Sequence, residues 1–153
     1  TKLSSHHLWE RQAAVIGLSE TNIEWKQSWA TNLVFQIFRR QWNHLKWCRS
    51  TSAEKFEGPY KPGGTCTLVT GSLATRVISE GSDDLGRWSH VTISGRSRTV
   101  TIITAYCPPV QSIETAGPLT SYFQQYHQLR QSGVISSDPR KQFFSDLTAT
   151  AHP

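Results

Sequence analysis

Methionine is absent from the 153 residues, even at position 1, and the chain opens on Thr1-Lys2-Leu3-Ser4. A reading frame begins with Met, so the expectation is a processed chain or a segment of a longer one. Cysteine is scarce: Cys48, Cys66 and Cys107 are odd in number and share no C-x-x-C spacing. That excludes a disulfide framework and a Cys-based zinc site, and is what reduced thiols of an intracellular protein look like. No apolar run reaches the length that crosses a bilayer, and the N-terminus lacks a secretory apolar segment. Walker-type phosphate loops, G-x-S-x-G and any readable Ser-His-Asp or Cys-His arrangement are also missing.

What is present is basic and aromatic. Sixteen Lys and Arg against eleven Asp and Glu leave a formal charge of +5, which favours an anionic partner. Six Trp fit either a core or a face that stacks on bases.

The short apolar run Ala13–Leu18 breaks into Ser19-Glu20-Thr21-Asn22. This predicts a buried strand whose end carries polar groups into a cleft. Thr21 and Glu24 make a T-x-x-E pair, the pattern of a capping box. Behind it Trp29, Leu33 and Ile37, with Val34 and Phe38 alongside, predict an amphipathic helix running to about Trp42. Residues 47–52 are β-prone and Tyr60-Lys61-Pro62-Gly63-Gly64 reads as a loop. Strands are predicted at 65–70, 75–79, 88–93 and 100–106, the last stopped by Pro108-Pro109. Leu119, Tyr122, Phe123, Tyr126 and Leu129 predict a helix from Pro118, and a second starts at Asp138-Pro139 with Phe143, Phe144 and Leu147 apolar. The order is that of one mixed α/β domain.

Three segments, in order, resemble the endonuclease/exonuclease/phosphatase (DNase I-like) superfamily, most closely the endonuclease domains of non-LTR retrotransposons. They are Val15–Asn22, similar to the family's strand ending in a metal-binding Glu; Gly63-Gly64 before a strand, with Leu85-Gly86-Arg87-Trp88 leading into another; and Thr99–Pro109, where Ala105-Tyr106-Cys107-Pro108-Pro109 is similar to the active-site Tyr motif. The resemblance covers nearly the whole chain. It implies a partial four-layer α/β sandwich of two mixed sheets flanked by helices. It also implies Mg²⁺-dependent (or Mn²⁺-dependent) phosphodiester hydrolysis of DNA. The chain would belong to a larger polyprotein with a downstream reverse transcriptase, in the nucleus.

By that resemblance Glu20 is a metal ligand and catalytic, and Tyr106 aims its hydroxyl at the scissile phosphate. Hard divalent cations take carboxylate oxygens, and a phenol can donate to charge developing in the transition state. The plainer alternatives are a strand-end Glu and a half-buried strand-end Tyr. Asn22 reads equally as a nucleic-acid contact at the same rim or as a helix N-cap. Arg39, Arg40 and Arg49, interleaved with Trp42, Trp47 and Tyr60, make a surface that could track phosphates while aromatics stack on bases. Alternatively Arg39-Arg40 solvate a helix end. Asp83-Asp84 reads as a solvated turn. His6-His7 reads as a terminal pair, and His44, His90 and His127 as isolated.

The family also uses an Asn on a strand ahead of the Glu motif, an Asp-x-Asn after the helices, a further Asp and an Asp-His pair. None of these occurs here. The expectation is therefore an incomplete domain over 1–153, inactive alone. Two alternatives stand beside it: a catalytically dead nucleic-acid-binding remnant, and a phosphatase of the same superfamily.

Overall fold

The computed structural model describes residues 5–10, 12–55, 60–109, 112–134 and 138–151, with the side chains of 5–7 excepted. The predicted pair His6-His7 thus lies outside the described side chains. Helix α1 (Ser5–Glu10), which the sequence pattern did not predict, precedes strand β1 (Val15–Ser19). Helix α2 (Ser28–Arg39) leads to β2 (Leu45–Ser50) and β3 (Thr65–Thr70). A 3₁₀ turn over Gly71–Arg76 shifts the next strand to β4 (Val77–Ser82), later than the predicted 75–79. Strands β5 (Trp88–Ser94) and β6 (Thr99–Ala105) follow, then helices α3 (Ser121–Gln131) and α4 (Pro139–Ala151).

The strands form two three-stranded sheets, β1-β3-β2 and β4-β5-β6, and every pairing is antiparallel. The expected sheets were mixed. Short returns suit this pairing in the second sheet, where β4 to β5 and β5 to β6 join without the crossover that a parallel neighbour needs. The mixed α/β architecture itself is as expected.

The two sheets stack through β3, which is buried along its whole length. Its alternate residues serve two cores. Leu68 and Cys66 join Ile16, Trp25, Phe38 and Trp42 under α2. Val69 packs with Cys48, Val91 and Ile93 between the sheets. The rest of the inter-sheet layer is polar: the Thr67 hydroxyl lies 2.8 Å from both the Ser89 carbonyl and the Thr104 hydroxyl, and Thr65 reaches Ser89 at 3.2 Å. Gly17 permits this approach, because a Cβ there would sit 2.8 Å from Thr104 Oγ1. On the far side of the second sheet, Phe143 of α4 packs edge-on against Trp88, with ring centroids 5.9 Å apart.

Two local expectations fail. The Thr21–Glu24 capping box is not made, because α2 starts at Ser28 behind Gln27. Thr21 instead accepts the Trp25 indole N–H, and Glu24 pairs with Lys61 at 3.4 Å. The stripe of α2 that faces the core is Ala30, Val34 and Phe38. Trp29, Leu33 and Ile37 lie on the adjacent row and are exposed.

Candidate functional site

The strand ends β1, β3 and β6 converge with the start of α3. β1 finishes at Ser19 opposite Thr65, and the chain then turns sharply, with φ +52° at Glu20 and +55° at Asn22. Left-handed backbone costs a side-chain-bearing residue roughly 1–2 kcal/mol, less for Asn. Hydrogen bonds from the facing loop hold the turn. Thr21 N–H donates to Gly64 O at 3.1 Å, Asn22 N–H to Gly63 O at 2.8 Å, and Gly63 N–H returns to Asn22 Oδ1 at 3.1 Å. The loop can present its carbonyls only because Gly63 and Gly64 take φ of +77° and +83°. Strain of this kind gathers at functional sites. Asn22 therefore braces the Glu20 turn and does not cap α2.

Tyr106 follows the last residue of β6, and its N–H donates to Arg87 O at 2.7 Å. Its ring and Ser121 both lie against Gly63, and Glu20 lines the same cleft. Burial raises the Tyr106 pKa first, and the Glu20 charge adds to the rise, so the hydroxyl stays protonated and able to donate. Thr120 caps α3 by accepting the Phe123 N–H at 3.2 Å, which sets Ser121 at the first turn facing Tyr106. A Thr-Ser pair ahead of an apolar periodic run signals this cap, and starting the helix at Pro118 missed it. Together Glu20, Asn22, Tyr106, Ser121 and Tyr60 line an open cleft of about 240 Å³.

Around the cleft the fold is pinned by groups the sequence reading undervalued. Lys61 is buried, paired with Glu24 and donating to the Glu54 carbonyl, so the loop that carries Gly63-Gly64 is anchored at its base. Asp83 corrects the solvated-turn reading, which holds for exposed Asp84 alone. Its carboxylate takes the Ser50 hydroxyl (2.7 Å), the Arg87 and Trp88 N–H groups (2.7 and 3.1 Å) and Arg87 Nε (2.6 Å). The Arg87 guanidinium also reaches Asp146 of α4 at 2.9 Å and stacks 4.2 Å from the Trp88 ring. The Leu85-Gly86-Arg87-Trp88 segment is thus a structural clamp behind Tyr106.

The arginines lie elsewhere. Arg39, above the Phe35 ring at 5.5 Å, and exposed Arg40 end α2, shortly before Leu45 at the end of the sheet away from Glu20. Arg49 donates to Thr31 Oγ1 at 3.1 Å and covers Trp47 at 4.9 Å. Trp42 is buried against Phe38, and Trp47 packs against Trp25 and Phe35. Neither Trp offers a free face for bases, which corrects the expected stacking surface; only Tyr60 of that set is exposed.

Chemically, the cleft offers one carboxylate, a protonated phenol and a serine hydroxyl. Among the described residues no three His, Cys, Asp or Glu are grouped to hold a metal ion. The donors fit one corner of a Mg²⁺ site of the kind that keeps its waters and takes one or two carboxylates. They do not fit a closed protein cage. No helix among the described residues is long and apolar enough to cross a membrane. No protein-family model matches the chain, and no curated protein matches it.

Proposed function

We propose that this chain is the Glu- and Tyr-bearing part of a Mg²⁺-dependent phosphodiesterase domain of the DNase I-like kind, acting on DNA. The observation that carries this reading is the meeting of Glu20 and Tyr106. They come from strands in different sheets, 86 positions apart in the sequence, and share one cleft. Each stands at the end of its strand, where the resemblance places a metal ligand and a phosphate-facing phenol. The two antiparallel sheets with outer helices are compatible with such a sandwich.

In this reading Glu20 holds the cation. When bound, the ion supplies positive charge to the phosphate and lowers the pKa of a coordinated water. Tyr106 donates a hydrogen bond to a phosphate oxygen, and burial keeps that proton in place. Ser121 orients the phenol. Asn22 and the Gly63-Gly64 carbonyls hold the Glu20 backbone. One carboxylate does not activate and position an attacking water by itself, so the remaining acidic groups come from beyond this chain. A larger polyprotein with a reverse transcriptase, working in the nucleus, is the context that this reading carries with it. The alternative of a nucleic-acid-binding remnant is favoured by the same shortage of carboxylates.

Plasmid nicking in Mg²⁺, with EDTA and Glu20→Ala controls, tests the reading together with filter binding of DNA over a salt series. The expected result is no nicking, with binding that weakens as salt rises. Metal-dependent nicking abolished by Glu20→Ala would show the site to be complete and overturn the partial-domain reading. Salt-insensitive or absent DNA binding would overturn DNA as the substrate and favour a small phosphorylated one.

A further inference from the structure

The end of the sandwich away from Glu20 collects positive charge from several layers. β1 and β2 start there and β3 finishes there. Cys48 Sγ–H donates to Gly81 O at 3.0 Å and the Ser50 hydroxyl to Asp83 O at 2.7 Å, which sets β4 alongside β2 in the same sense. Arg39 and Arg40 close α2 at this end, and Lys46 is the second residue of β2. Arg76 ends the 3₁₀ turn that leads from β3 to β4 and touches β2, β3 and β5. Arg96 and Arg98 ride the tight turn between β5 and β6, closed by Gly95 N–H donating to Arg98 O at 2.8 Å. All six side chains belong to exposed residues, and among the described residues none is in an ion pair.

We propose that this pole is a second nucleic-acid site, which grips a phosphodiester backbone without reading bases. Three observations select that partner. First, the charges are segregated. Glu20, Glu24, Asp83 and Asp84 lie at the opposite end, and the acid described at the pole is Glu10, with Glu80 three residues up β4 from Val77. Like charges gathered in this way repel one another, and a polyanion relieves the repulsion.

Second, five of the six cations are Arg, whose planar fork takes phosphate oxygens in pairs. The sheets stack about 10 Å apart and α2 adds a layer about 10 Å thick, so the cations span roughly 20 Å. Duplex DNA carries a charge about every 1.7 Å, so that length holds enough phosphates for all six.

Third, a bilayer is a poorer match. The large exposed apolar side chains towards this end, Trp9, Ile37 and Val100, stand on three different elements and make no continuous apolar face.

Fluorescence anisotropy over a salt series, with a short labelled DNA duplex and a labelled single-stranded RNA, tests the proposal. Each phosphate contact contributes about 0.9 to the salt slope on duplex and about 0.7 on a single strand. Arg96→Gln/Arg98→Gln is expected to weaken binding roughly tenfold and to flatten the duplex slope by about 2, with an unchanged melting temperature. Arg40→Gln/Lys46→Gln, on other elements of the pole, should do the same. Arg130→Gln/Lys141→Gln lowers the net charge equally on α3 and α4, whose contacts with Asp84, Pro108 and Arg87 keep them at the opposite end. That variant should bind as the wild type does. Failure of the wild type to bind either probe at low salt overturns the proposal, as does an equal loss in the α3–α4 variant. Pole-dependent binding to phosphatidylserine vesicles, with both nucleic acids unbound, would assign the pole to a membrane and overturn it too. None of these substitutions touches Glu20 or Tyr106, so metal-dependent nicking remains the separate test of the cleft, and either site can fail without the other.

Discussion

Replacing Gly64 by alanine separates two costs that the cleft geometry imposes. Gly64 has φ +83°, and a Cβ there would lie 2.8 Å from Thr21 Oγ1 and 3.2 Å from the Ser50 carbonyl. Gly71 has φ +61°, and its Cβ would meet nothing within 4 Å. Both substitutions bear the left-handed backbone penalty of roughly 1–2 kcal/mol. Both recover about 0.4–1 kcal/mol from the stiffer unfolded chain. Gly71→Ala should therefore destabilise by about 0–1.6 kcal/mol. Gly64→Ala adds an overpacking cost of about 1–3 kcal/mol, because one of the two neighbours is backbone and cannot rotate away. Its total of roughly 1–5 kcal/mol is a large part of an ordinary domain's stability. Urea unfolding followed by tryptophan fluorescence measures both, with an unchanged m-value confirming a common mechanism. The clash also pushes on Thr21, so Gly64→Ala should shift the Glu20 and Tyr106 amide resonances whereas Gly71→Ala should not. Equal destabilisation by the two variants would refute the claim that the Gly64 backbone is pressed against the Glu20 turn.

Asp83→Ala removes one of the two carboxylates on the buried Arg87 guanidinium, leaving Asp146, and takes the acceptor from the Arg87 and Trp88 N–H groups. Because Asp146 still compensates the charge, the cost stays below the roughly 3–5 kcal/mol of a fully broken buried pair, read as a fall of the urea midpoint; a loss below about 1 kcal/mol would show the clamp to be dispensable. Native-state alkylation should label Cys107, which is partly exposed, well before Cys48 and Cys66. Burial pushes the Cys66 thiol up furthest and seals it from reagent, so early Cys66 labelling contradicts the packing of β3 under α2. The Tyr106 phenol is held above its ordinary value of 10.0, first by burial and then by Glu20. The folded protein keeps that proton longer than the unfolded chain does. The stability it contributes is therefore whole below about pH 10 and is lost as pH rises through the folded-state value. The phenolate absorbance difference between wild type and Tyr106→Phe should appear on the alkaline side of 10.0, and a transition at or below that value would remove Tyr106 from the buried cleft.

Much of the architecture was readable because periodicity reports burial. The strands at 65–70 and 88–94, the helix through Tyr122 and Leu129 and the one holding Phe143 lie where alternation or helical spacing put them. Glu20, Asn22 and Tyr106 were assigned to one rim from strand-end position and resemblance, and they line one cleft. The rest depends on contacts distant in sequence. Periodicity identifies an apolar row but not which of two adjacent rows meets the sheet, hence the inversion on α2 between Trp29-Leu33-Ile37 and Ala30-Val34-Phe38. Asp83 looks like a turn residue until Ser50, 33 positions earlier, is brought beneath it. Lys61 looks like a surface cation until Glu24 closes over it. The Trp42 and Trp47 rings were left open between core and base stacking, because composition does not distinguish a core aromatic from a stacking one.

The central claim is that the Glu20–Tyr106 cleft is one corner of a divalent-cation and phosphate site. Titrating the folded chain with Mn²⁺ and following amide line broadening tests it most directly, since the paramagnetic ion broadens only what lies near it. The account predicts broadening centred on Glu20, Tyr106 and Ser121, reversed by excess Mg²⁺ and lost in Glu20→Gln. Binding should be weak, as befits a single carboxylate. Broadening centred on Asp84 or Glu80 instead, or persisting at the cleft in Glu20→Gln, would contradict it.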